Sequence, residues 1–349
     1  MLNFMDLVQN AFYSTTRWNT DNSYSTLNAS TRALLDFATP RGLRMNLSSL
    51  ATQHFATSYT LGSLSVIDGS LSYIYSTVPL HLASTAAIDL RLVTPGYRQL
   101  QPTLPPSAAC NAALLYGRMY LPKGTLEALY LRRLGATTQV RVTAVSDSQL
   151  KHGGSVMGIL QHDTGRWCSE YLYSTDVALL GWRGLYNFGR DTVEEGASDR
   201  PVWRCSAGAE LYYGVLNKSA GMSTGLRYTT LPSHPGIPLT MTLTLNPLMG
   251  HLSATYALLA GESTAFATRF EFNMYSYESD LVLGCELWRG KGEEGAEGVL
   301  KAKVTRNGSV GLLWEGRFKE LLFSVGGLVD FGGRGGVVKV LGVELSYSS

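Results

Sequence analysis

The sequence predicts an all-β transmembrane barrel, on three observations. First, apolar and polar side chains alternate with period two through most of the 349 residues, the mark of strands with one oily and one wet face. At the C-terminal end Val343, Leu345 and Tyr347 fall on one face, and Gly342, Glu344 and Ser346 on the other. Second, no stretch supplies the about 20 consecutive apolar residues that a spanning helix needs. Third, the candidate strands run about 8–12 residues, close to the about 9–11 of a tilted membrane strand and longer than the about 5–6 of an average soluble one. Mean hydropathy is +0.01, as expected when an oily exterior is averaged with a polar interior. An open sheet edge would leave N–H and C=O groups unpaired in hydrocarbon, so the sheet must close on itself.

Composition excludes several other classes. There are 29 Lys and Arg against 27 Asp and Glu, without the basic excess of a nucleic-acid binder. Cys110, Cys168, Cys205 and Cys285 are widely spaced and form no C-x-x-C pair. They read as small buried or lipid-facing side chains, not as a zinc site or a disulfide framework. No cofactor is expected.

The elements follow in order. Residues 1–13 lack a basic start, a continuous apolar run and a small-residue cleavage site, so no secretory signal is expected there. Asp6, and the absence of Arg before Arg17, also argue against a cleavable mitochondrial presequence. Leu2, Met5, Val8 and Phe12 recur at helical spacing and predict a short amphipathic helix over about residues 2–14. The narrow stripe without basic flanks favours a plug inside the barrel over an anchor lying on the membrane. Residues 1–40 thus form an N-terminal segment and 41–349 the strands of a single barrel domain. Clean alternation marks strands at 87–93, 139–145, 239–246 and 265–274. Further strands are expected near 43–49, 57–66, 69–77, 112–119, 125–133, 153–163, 167–175, 179–189, 202–213, 220–231, 250–260, 280–289, 298–306, 309–317, 320–330 and 337–347. They total about twenty, within the range of known membrane barrels. Asp68-Gly69 and Asn307-Gly308 are compact hairpin signals, and residues 246–250 (Asn-Pro-Leu-Met-Gly) a longer turn. Longer loops are expected at 94–110, 190–201, 231–238 and 289–298.

Charges within the strands sit on the polar parity. Arg91, Arg141, Arg227, Arg269 and Glu271 are expected to face the lumen, since a charge at mid-bilayer on the lipid face would cost about 2–4 kcal/mol. Catalytic motifs are sparse. Gly221-Met-Ser-Thr-Gly225 matches G-x-S-x-G, but the strand pattern runs on through Leu226, Tyr228 and Thr230 where a helix is required. The six histidines form no H-x-x-x-H pair.

The last strand fits most of the sorting signal carried by mitochondrial outer-membrane barrels, polar-x-Gly-x-x-apolar-x-apolar. Gly342, Leu345 and Tyr347 match, while Val340 takes the polar place and Lys339 lies one residue early. Longer strings resemble the fungal mitochondrial distribution and morphology protein 10 family. They are Met1-Leu-Asn-Phe-Met-Asp6 with Phe12-Tyr13 and Trp18, residues 35–43 (Leu-Asp-Phe-Ala-Thr-Pro-Arg-Gly-Leu), residues 54–61 (His-Phe-Ala-Thr-Ser-Tyr-Thr-Leu) and residues 68–80 from Asp68 to Leu80. Beyond this N-terminal quarter the likeness lies in strand order and the final strand.

The resemblance implies a fold like the voltage-dependent anion channel: 19 strands with the first and last pairing in parallel, and a short N-terminal helix in or near the lumen. One of the candidate strands is then expected to be a loop, or two to be one bent strand. It implies a non-enzymatic outer-membrane protein at contacts with the endoplasmic reticulum. Its partners would be the lipid-transfer and tether subunits of the ER–mitochondria encounter structure, the sorting and assembly machinery, and components of the outer-membrane translocase. The lipid bilayer is the remaining partner. Contact residues are expected among exposed aromatics: Tyr73 and Tyr75 on one strand, and Phe270 and Phe272 with Tyr275 and Tyr277 on another. The competing explanation for these rings is an interfacial aromatic girdle. Two rival functions are an anion-preferring channel, from the lumen arginines, and a barrel phospholipase using Ser223.

Overall fold

A computed structural model describes residues 1–349 apart from 64–66, 101–110, 151, 190–201, 262, 291–296, 332–336 and 349. The chain opens with a helix, α1 (Phe4–Thr15), a 3-10 turn (Tyr24–Thr26) and α2 (Ala29–Leu35). Strands β1 (Gly42–Thr52), β2 (Phe55–Ser63) and β3 (Ile67–Ser76) follow, then a short helix α3 (Leu90–Val93). The wall continues with β4 (Ala113–Leu121), β5 (Leu126–Arg133), β6 (Thr138–Ser146), β7 (Gly154–Asp163), β8 (Trp167–Ser174) and β9 (Leu179–Phe188). Next come β10 (Trp203–Gly214), β11 (Ser219–Thr230), β12 (Leu239–Asn246), β13 (His251–Ala260) and β14 (Thr264–Asn273). It ends with β15 (Ser279–Arg289), β16 (Gly298–Thr305), β17 (Ser309–Phe318), β18 (Leu321–Asp330) and β19 (Val337–Ser348). No described helix is long and apolar enough to cross a membrane.

Each strand pairs antiparallel with its sequence neighbour, forming one sheet of 19. With an odd number, the first and last strands run the same way. β1 and β19 close the ring in parallel, from Gly42 against Gly342 to Ser48 against Ser348. The expected architecture is therefore present, seam included. Gly342 sits where three segments converge. It pairs with Gly42 and Gly326, and a Cβ built on it would lie 2.5 Å from the carbonyl oxygen of Pro40.

Two expectations are corrected. Residues 87–93 do not form a strand. Asp89 caps α3, its carboxylate accepting the Arg91 N–H at 2.9 Å, and Ile88, Leu90 and Val93 pack on Leu322. β3 pairs directly with β4, so the wall has no place for another strand there. This segment accounts for the surplus in the strand count. Asp68-Gly69 is likewise not a hairpin turn. Both residues lie inside β3, paired with Gly62 and Leu61, and the pairing continues to Ser63 against Ile67. A two-residue turn at 68–69 would pair even positions with odd ones, setting the inward Ser76 against the outward Leu61.

The wall has two unlike rims. Connections β3–β4, β9–β10, β11–β12 and β15–β16 make a long-loop rim; the opposite rim carries β2–β3, β4–β5, β12–β13, β14–β15 and β16–β17. Outward positions expose large apolar side chains all round, among them Leu43, Met45, Leu61, Leu115, Leu160, Leu211, Leu243 and Leu312. Apolar surface of this extent demands a lipid environment.

The bore is filled by the chain itself. Met5, Val8 and Phe12 of α1 are buried against Ile74, Leu114 and Leu131, all inward positions. The helix is a plug, as its narrow stripe predicts. Tyr24 and Leu27 pack on Cys168 and Leu185. Leu34 and Leu35 of α2 lie against Ala257, Ala265, Ala267 and Val282. Small side chains on the wall leave room for this helix: a Cβ at Gly284 would be 2.5 Å from the Leu35 side chain. Beside α3, Lys301 and Glu315 form a fully buried ion pair at 3.1 Å. Lys301 also donates to the Pro95 carbonyl, and Glu315 accepts from the Met1 amine.

Two predictions follow from this packing. Glu315→Gln removes the buried carboxylate shared by the Met1 amine and the Lys301 ammonium and should lower unfolding stability by about 3–5 kcal/mol, read from the thermal shift of the detergent-solubilised barrel. Gly342→Val drives side-chain atoms into backbone at the seam. It should cost about 1–3 kcal/mol and reduce the fraction that migrates as a folded barrel on unheated gels.

Candidate functional site on the barrel wall

Alternation along β3 turns Ser70, Ser72, Ile74 and Ser76 into the barrel and leaves Tyr73 and Tyr75 outside, 44% and 48% exposed. The Tyr73 ring stacks on Phe55 of β2, with centroids 6.0 Å apart and planes at 19°. Tyr59 adds a fourth exposed ring on β2. On the other side the wall drops away. Tyr73 pairs with Gly117, Gly117 with Ala128, and Ala128 with Ala144, all outward. A Cβ at Gly117 would meet nothing within 4 Å. The tyrosines thus stand above a strip of small residues, close to the long-loop rim.

The second predicted group lies near the other rim. Phe270 and Phe272 point outward from β14, whose inward positions are Ala265, Ala267, Arg269 and Glu271. Tyr275 and Tyr277 stand in the β14–β15 turn. Tyr275 donates its hydroxyl to the Pro247 carbonyl at 3.0 Å, tying this turn to β12–β13. Tyr277 has φ 57° and is 80% exposed, its ring meeting Phe272 edge-on at 6.5 Å. Because β3 and β14 are nearly opposite around the ring, the two aromatic groups occupy opposite walls as well as opposite rims.

The charged residues assigned to the lumen divide into three cases. Arg141, Arg227, Arg269 and Glu271 are on inward strand positions. Arg227 is buried under the N-terminal segment and directs its guanidinium to the Asp21 carbonyl at 3.5 Å. Arg269 pairs with Asp36 at 2.6 Å and with Glu271 at 3.2 Å, so it fastens the end of α2 to the wall. Arg91 is on α3, not on a strand, and lies over the Trp288 ring at 5.4 Å. Of the sorting-signal residues, Gly342 faces inward at the seam. Leu345 pairs with Met45 and Phe323, and Tyr347 with Leu47, on the outward parity. The register against β18 shifts between Val338 and Val340, which skips Lys339.

Gly221–Gly225 lies wholly within β11, so no nucleophile elbow forms. Ser223 faces the lumen, donates to Glu210 at 3.0 Å and touches the Tyr24 hydroxyl. Cys168 is inward and buried; Cys205 and Cys285 are outward; Cys110 lies outside the described residues.

Sequence reasoning missed how much of the lumen belongs to residues 16–36. Arg133 sits over Trp18 at 4.3 Å and donates to the Thr16 carbonyl at 3.2 Å. Asn22 donates to Asp163 at 2.5 Å and accepts from Asn187 at 2.8 Å, and Ser206 donates to Asn187 at 2.7 Å. The spacing of Leu27, Thr31, Leu34 and Leu35 is a helical stripe that could have signalled α2. Nothing local marks Asn22, whose role depends on partners 141 and 165 residues away.

A family model described as mitochondrial distribution and morphology protein 10 matches residues 1–296 and 292–349. Proteins of that description from Phaeosphaeria nodorum and Sclerotinia sclerotiorum are 54% and 51% identical, each over the full length of both chains. The one from Yarrowia lipolytica is 43% identical, also over both full lengths. With the N-terminal plug, the 19-strand ring and the parallel seam in place, the chain belongs to the mitochondrial distribution and morphology protein 10 family.

Proposed function

We propose that this protein is a non-enzymatic anchor and assembly factor in the mitochondrial outer membrane, at contacts with the endoplasmic reticulum. In this reading it serves mitochondrial distribution and morphology as a subunit of the ER–mitochondria encounter structure, supporting phospholipid exchange. It also serves the sorting and assembly machinery, in β-barrel insertion and translocase assembly. The observation that carries the reading is the filled bore. The N-terminal segment and the residues around α3 pack with buried hydrophobic clusters against the inner wall, and Met1 and Asp36 form ion pairs with Glu315 and Arg269. Such packing turns binding capacity outward, to the wall and rims. There the exposed rings of Tyr73 and Tyr75, and of Phe270, Phe272, Tyr275 and Tyr277, supply rigid amphipathic contact area of the kind that dominates interfaces. Their separation would let two partners dock without overlap.

The same packing weighs against the channel reading. Of the arginines that would select anions in an open bore, Arg269 is paired with the Asp36 carboxylate and Arg227 is covered by the plug, donating to the Asp21 backbone carbonyl. Ser223, enclosed by Tyr24 and Glu210 on a strand, lacks the exposed elbow of a hydrolase.

Two measurements test this. Tyr73→Ala with Tyr75→Ala should sharply reduce co-purification of the tether subunits from detergent-solubilised mitochondria while barrel levels hold; unchanged recovery removes this patch from the account. In planar bilayers the full chain should give no large, stable, anion-selective conductance, whereas a chain lacking residues 1–36 should conduct. A steady anion current from the intact protein would favour the channel instead.

A further inference from the structure

A groove on the outer wall has a charged mouth. On β15 through β19, Arg289 pairs with Gly298, Gly298 with Gly316, Gly316 with Phe323, and Phe323 with Leu345, all on the outward parity. This part of the wall carries a trough of about 580 Å³ with Gly298 in its floor, within the roughly 300–1,000 Å³ of small-ligand sites, while Gly316 lies beneath the Phe323 ring, 2.7 Å from where its Cβ would stand. Leu287, Leu300 and Trp314, from the next row toward mid-membrane, form its deeper wall. Trp314 leans across the glycine floor: a Cβ at Gly298 would lie 3.2 Å from its Nε1. Its ring meets Phe323 edge-on at 4.8 Å and 76°, which fixes both.

The mouth opens at the long-loop rim and is charged. Arg289 lines one side. Phe318 lines the other side, and Lys319, held with φ 56° in the β17–β18 turn, sits over its ring at 5.8 Å. Glu297 is already paired with Arg317, and Glu320 accompanies Lys319 in the turn. An apolar trough below the rim, two cations near its mouth and an indole N–H over Gly298 match a lipid: acyl chain below, phosphate above. Arg binds phosphate through paired donors, and Trp at a membrane interface offers an apolar face with a polar tip.

We propose that this groove seats one anionic phospholipid, its acyl chain against Leu300, Trp314 and Phe323 and its phosphate between Arg289 and Lys319. The inference rests only on the lipid-facing exterior of the barrel, not on membership of either machine. The adjoining loop carries Glu293 and Glu294 in sequence, outside the described residues, so preference for an anionic headgroup is the deciding readout.

The test uses the full chain reconstituted in phosphatidylcholine vesicles doped with phosphatidylglycerol bearing a mid-chain diazirine. After irradiation, adducts should concentrate on peptides containing Trp314 and Phe323. Arg289→Gln and Lys319→Gln should each lower that yield roughly fivefold, the factor expected for one basic residue at an anionic surface. Trp314→Ala should disperse the adducts, while a diazirine phosphatidylcholine should label the groove no more than the rest of the wall. Folding of each variant is checked by its migration on unheated gels. Labelling spread evenly round the exterior, equal labelling by the two headgroups, or yields indifferent to the mouth variants would overturn the proposal. So would occupation of the groove by a partner's membrane helix in mitochondrial crosslinks.

Discussion

Backbone hydrogen bonding without water governs this structure. In hydrocarbon every strand N–H and C=O must find another strand, because an unpaired group costs several kcal/mol. A sheet can meet that demand only by closing. With 19 strands, closure forces the first and last to run parallel, and the register from Gly42–Gly342 to Ser48–Ser348 carries the ring across that seam. The glycine at 342 follows from the same demand. It lets β1, β18 and the chain at Pro40 approach where the ring is completed. Period-two alternation follows as well, since a closed wall between lipid and lumen gives each strand one solvent per face.

The lumen is a core of a different kind. A soluble domain buries apolar faces against one another; here the wall's inward face is largely polar, and the N-terminal segment is its complement. Where that segment is apolar, at Met5, Val8, Phe12, Leu34 and Leu35, the wall answers with Ile74, Leu114, Leu131 or with alanines. Where it is polar, at Thr16, Asp21, Asn22 and Asp36, the wall answers with Arg133, Arg227, Asn187 and Arg269. The match specifies one seating for the plug, since sliding it by a turn would set carboxylates against leucines and strand buried guanidinium groups. A barrel stoppered in this way offers its outer wall and rims for recognition, and the aromatic groups and the rim groove lie there.

The strands were legible because their information is local. Alternation within ten residues reveals each one, and the polar parity that assigns Arg141, Arg227, Arg269 and Glu271 to the interior is the same signal read across faces. The failures have physical causes. Residues 87–93 alternate too, but Ile88, Leu90 and Val93 are satisfied by packing on the inner wall, and Asp89 caps a helical turn that the period-two count ignores. Asp68-Gly69 has the chemistry of a tight turn, yet face parity across β2 and β3 overrides it. Asn22, Asp163, Asn187 and Ser206 were not legible at all. Their network joins residues distant in sequence, and no local pattern announces a partner that only the closed ring brings near.

The claim beneath all of this is a ring closed through β1 and β19, with the odd positions of those two strands in lipid and their even positions inside. Spin labels placed singly along residues 43–48 and 342–347 of the reconstituted barrel, relaxed by oxygen or by a water-soluble nickel complex, measure it directly. Leu43, Met45, Leu47, Val343, Leu345 and Tyr347 should be oxygen-accessible, with Arg44, Asn46, Glu344 and Ser346 out of phase, and the two strands should oscillate together. Loss of the two-residue period, or opposite phases in the two strands, would contradict it.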